Sequence, residues 1–92
     1  MDDYPRREIE TLQHLHRGLL VEIEKAEFQE HRLVQRIGKA EAVGDAYQAI
    51  SFRADLLDIM KELDALRGEV LRVQDRLKEL EGANDGDSAG RA

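Results

Sequence analysis

The chain has 92 residues, 37% of them charged, with a net charge of −6 and no cysteine. Such a length makes one domain at most, and the lack of cysteine excludes disulfides and thiolate chemistry. Acids and bases are interleaved, so there is no basic face of the kind a nucleic-acid binder shows, and no apolar run is long enough to span a membrane.

The chain opens Met1-Asp2-Asp3-Tyr4-Pro5. This start is acidic and lacks the apolar core of a signal peptide, so the default location is the cytoplasm. Proline suits a first helical turn, and acids ahead of it suit the helix dipole. Residues 1–4 are read as an extension and a helix is expected from about residue 5. Along it Ile9, Leu12, His16, Leu19, Ile23, Ala26, Glu30, Leu33, Ile37 and Ala40 recur at steps of three and four, which is a heptad seam. Two members are polar, His16 and Glu30. A polar residue in a seam commonly sets register or oligomer state.

Gly44-Asp45 follows. Glycine takes the positive φ that ends a helix, and aspartate is a strong N-cap that Gln48, three residues on, can answer in a capping-box-like pair. Beyond the dipeptide a second seam runs through Ala49, Phe52, Leu56, Ile59, Leu63, Leu66, Val70, Val73, Leu77 and Leu80. The two seams are mirror images: partners from Ala40 with Ala49 out to Ile9 with Leu80 have numbers that add to 89. A chain folded back at 44–45 therefore matches every layer. The expected fold is all-α, an antiparallel coiled-coil hairpin over 5–81. Gly82 is expected to end the second helix, leaving 82–92, which has no large apolar residue, as a disordered tail.

The flanks of the seam differ. With the seam residues as a and d, the g positions are polar in nine of ten cases, Leu15 being the exception. The other side carries Leu20 and Val34 at e, Val21 and Phe28 beside them at f, Met60 at e, and Ile50, Leu57 and Leu71 at b. That is more apolar surface than a soluble monomer usually exposes. It predicts a homodimer, two hairpins closing into a four-helix bundle, with a different protein chain as the alternative occupant of the same face.

No nucleophile elbow, phosphate loop, paired-carboxylate cleft or zinc spacing occurs, so no catalytic, cofactor or metal residue is assigned, and a two-helix rod has little concavity for a small-molecule substrate. The expected function is a non-enzymatic protein-protein interaction module: an adaptor, an assembly factor or a small regulatory subunit. Three resemblances stand beside this reading. His14-Leu15-His16-Arg17-Gly18 resembles the phosphoacceptor box of histidine phosphotransfer domains, and the hairpin resembles the dimerisation domain of sensor kinases. That resemblance implies His14 as phosphoacceptor, although the kinase-type acid after the histidine is Leu15 here. Ile37, Ala40, Gly44 and Asp45, with Phe52 and Ala54, look like the bend of Gre-type transcript-cleavage factors, which insert a coiled coil into RNA polymerase. Asp45 matches their first tip acid and Gln48 stands at the second. Ile37-Gly38-Lys39-Ala40 and Arg53 are similar to helical chorismate mutases, but Glu41 and Ala54 replace the base and acid of that pattern.

Overall fold

The computed structural model describes the backbone of residues 3–89 and the side chains of residues 6–82. Among the described residues there are two helices and no strand: α1, Asp3–Ala42, and α2, Ala46–Ala89, lie against each other as a hairpin. The 40 residues of α1 correspond to about 60 Å of helix, and the molecule measures 68 × 23 × 14 Å.

The reversal follows from the Gly44-Asp45 pair. Gly44 has φ of 75°, a conformation open to glycine because it has no Cβ. In that geometry Gly44 N–H donates to Glu41 C=O at 3.1 Å and Asp45 N–H to Ala40 C=O at 2.8 Å, the two bonds of a Schellman motif. Asp45 then starts α2: its Oδ1 accepts Gln48 N–H at 3.1 Å and its carbonyl accepts Ala49 N–H at 3.1 Å. The expected capping box is half of this arrangement. The Asp45 N–H is already satisfied by Ala40, so the Gln48 side chain has no orphan donor there to answer.

All twenty seam positions, ten on each helix, are buried or half-buried. The buried core is Ala26, Ile37, Ala40, Ala49, Leu63, Val70 and Val73, every one of them a seam residue, with Leu63 at 1% exposure the deepest. Next to the turn the core is Ala40 against Ala49, where small side chains let the helices approach closely enough for a short connection. His16 and Glu30 are half-buried, and among the described residues no polar side chain is buried. Gln74 Nε2 lies 3.3 Å from His16 Nε2, so the polar seam residue His16 is met at the rim.

Both outer boundaries differ from expectation. α1 begins at Asp3, within the two-residue latitude of any helix end. α2 runs through Gly82 to Ala89. A glycine costs about 1 kcal/mol inside a helix but stops it only by turning left-handed, and Gly44 is the one glycine with positive φ among the described residues. Residues 1–2 of the extension and 90–92 of the tail lie outside the described residues.

Candidate interaction surface

The two broad sides of the hairpin are set by heptad position. Position e follows each seam toward the C-terminus and g precedes it. Cross-hairpin neighbours at e therefore have numbers that add to 94, and those at g add to 84. On the g side Arg76 Nε donates to Glu8 Oε1 at 2.9 Å and Arg76 Nη1 to Glu79 Oε2 at 3.1 Å. The hydrogen bond that Arg76 donates to Glu8, joined by the one to Glu79, raises the Arg76 pKa above its already high ordinary value. The same side carries Arg36 over the Phe52 ring at 5.9 Å and a shallow groove between Arg32, Arg36, Asp55 and Asp58. It is charged and wet, with Glu8–Arg76 the one ion pair crossing between the helices on this side among the described residues.

On the e side all eight expected interface residues are exposed: Leu20, Val21, Phe28, Val34, Ile50, Leu57, Met60 and Leu71. They are not evenly spread. Two ion pairs cross this side, Arg67 to Glu27 at 3.2 Å and Arg53 to Glu41 at 3.1 Å. The e layers thus alternate: Glu41 with Arg53, Val34 with Met60, Glu27 with Arg67, Leu20 with Gln74. The expected broad apolar side is in fact one apolar layer, Val34 with Met60, and one half-apolar layer, Leu20 with Gln74, separated by charge pairs. Phe28 is turned away from this centre, since Arg32 lies over its ring at 5.9 Å on the outward face of α1.

Between the Val34 and Glu41 levels the e side is concave. A shallow groove of about 590 Å³ is lined by Val34, Ile37, Gly38, Glu41, Arg53, Leu56 and Leu57. Gly38 opens it: a Cβ there would meet nothing within 4 Å. A groove with apolar walls and a charge pair at one end suits an aliphatic side chain from another helix better than a polar metabolite.

The other candidate residues are dispersed. His14 is exposed, as its heptad position requires. Glu27 is engaged by Arg67, and His31 Nε2 lies 3.4 Å from Gln35 Nε2. Among the described residues no three His, Asp or Glu side chains are grouped to hold a metal ion. The Asp45 carboxylate at the tip serves as the helix cap, and Arg53, which matches the chorismate mutase likeness, faces Glu41, which stands where that pattern has a base. No helix among the described residues is long and apolar enough to cross a membrane.

Two exposed apolar residues escaped the heptad reading. Val43 and Tyr47 flank the turn at 79% and 85% exposure. They lie beyond the last matched seam layer, where a wheel built on a and d positions ends. The ion pairs Glu27–Arg67 and Glu41–Arg53 were also missed; the constant offset between e positions on the two helices is the signal that finds them. No protein-family model, curated protein or solved structure matches the chain.

Proposed function

We propose that the chain is a cytoplasmic, non-enzymatic protein-protein interaction module that works as a homodimer, two coiled-coil hairpins joining their e sides into a four-helix bundle. The observation that carries this reading is the separation of the two sides. The g side is polar or charged at every g position but Leu15, while the e side leaves several aliphatic residues and an apolar groove open to water. The broad face of the hairpin, 68 by 23 Å, offers more than the ~800 Å² per partner of a standard stable interface. Burying a large aliphatic side chain fully contributes about 1.5–3 kcal/mol. Several of them, counted on both copies, exceed the several kcal/mol lost in association. A single hairpin has one seam and a thin core, so folding and association reinforce each other.

Thermal unfolding at a series of concentrations tests this. For a homodimer coupled to folding, the Tm rises with chain concentration. A Tm independent of concentration would refute self-association and leave the e side to a different protein.

A further inference from the structure

Resting on the homodimer reading, we infer that the two copies stack with their tips at the same end, and that Ile50 of each copy seats over Gly38 of the other. A two-fold interface between two e sides has its axis either along the rod or across it. With the axis along the rod every residue keeps its height, and α1 of one copy faces α2 of the other. Glu27 then faces the partner's Arg67, and Glu41 the partner's Arg53, at the same offset along the rod as within one hairpin. Each ion-pair layer closes into a ring of four alternating charges. With the axis across the rod α1 faces α1. Leu20 would still meet Val34, but Glu27 at the centre would meet its own copy. Charge complementarity selects the first arrangement.

The groove supports the same choice. In the seam register, where facing numbers add to 89, Ile50 stands level with residue 39, one residue from Gly38. Both are b positions at the same edge of the face. Ile50 is 64% exposed, and Gly38 leaves open space where a side chain would project. A protruding aliphatic group and the opening beside it are therefore brought opposite each other twice by one symmetry axis. The same register sets Lys78 opposite the partner's Glu10 and Asp64 opposite the partner's Glu24, all four exposed. At this edge one favourable pair is set against one like-charge pair, so charge complementarity rests on the Glu27 and Glu41 layers. The two tips, each with Val43 and Tyr47, end side by side.

The chain contains no cysteine, so Gln48→Cys near the tip and Asp75→Cys near the open end each create a single spin-label site. Distances between labels on the two copies should be below about 30 Å for both variants in the tip-together bundle, against about 50 Å for both in the reversed one. Long distances at both ends would overturn the arrangement while leaving the dimer standing. Absence of any intercopy distance, with a monomer mass, would instead overturn the homodimer reading beneath it. Gly38→Leu provides a second test. In one hairpin the added Cβ meets no neighbour within 4 Å and leucine improves helix propensity, so its circular dichroism should stay helical. Overpacking the partner's Ile50 should raise the dimer Kd roughly tenfold or more, whereas Gly18→Leu, on the outer surface, should leave it unchanged. An unchanged Kd in Gly38→Leu would refute the Ile50 seat.

Discussion

The g side and the e side are built from the same two helices and flank the same seam, yet they handle their surface in opposite ways. On the g side Glu8, Arg76 and Glu79 satisfy one another, and Arg36 lies over the Phe52 ring. On the e side charges are paired too, at Glu27–Arg67 and Glu41–Arg53, but aliphatic side chains with no polar function stand between and beside them. Ion pairs alone therefore do not mark a solvent face. What distinguishes the two sides is whether apolar groups are left beside the pairs.

That contrast can be broken by substitution. The largest effect is expected from Leu20→Glu combined with Leu57→Glu. Buried charge without a partner is strongly destabilising, so the doubly substituted chain should sediment as a monomer. Its Tm should fall by more than about 10 °C, taking ~4–8 °C per kcal/mol for a domain of this size. Leu63→Ala comes next. It removes the deepest seam side chain, at 1% exposure, and should cost about 2–4 kcal/mol in denaturant unfolding with the dimer retained at low denaturant.

The ion pairs sharpen the contrast further. As an exposed pair Arg67–Glu27 would contribute about 0.2–1 kcal/mol. Covered by a second copy, loss of one partner leaves a desolvated charge and costs roughly 2–5 kcal/mol. Arg67→Ala should therefore weaken the dimer clearly, while Arg72→Ala, which removes the short-range pair with Glu69, should leave dimer affinity within about 0.5 kcal/mol. The smallest effect is expected for Glu22→Ala with Glu62→Ala. Both residues are exposed g positions, and the Tm should stay within a few degrees of the parent.

Most of the hairpin was legible in the sequence because one physical quantity, burial along a seam, repeats without interruption. Each position from Ile9 to Ala40 and from Ala49 to Leu80 that the three-four spacing selects is withdrawn from water, including the polar His16 and Glu30. The turn was legible for a different reason: left-handed backbone and an N-cap each narrow the choice of residue, and Gly44 and Asp45 meet both needs in order. The end of α2 was not legible at Gly82, because a glycine that keeps helical φ leaves the hydrogen-bond ladder intact. The e-side pairs were hidden for a related reason. A helical wheel shows which residues share a face of one helix, whereas Glu27 reaches Arg67 through the offset between two helices. The tip residues Val43 and Tyr47 fall outside any seam register, so periodicity says nothing of them.

Whether the e side is an interface between copies is tested most directly by sedimentation equilibrium of the full chain over a wide dilution range. The expected result is a reversible monomer-dimer equilibrium, with a mass approaching twice the 10.5 kDa of one chain at the high end and helicity declining as the dimer dissociates. A single species of 10.5 kDa at every concentration, still fully helical, would contradict it.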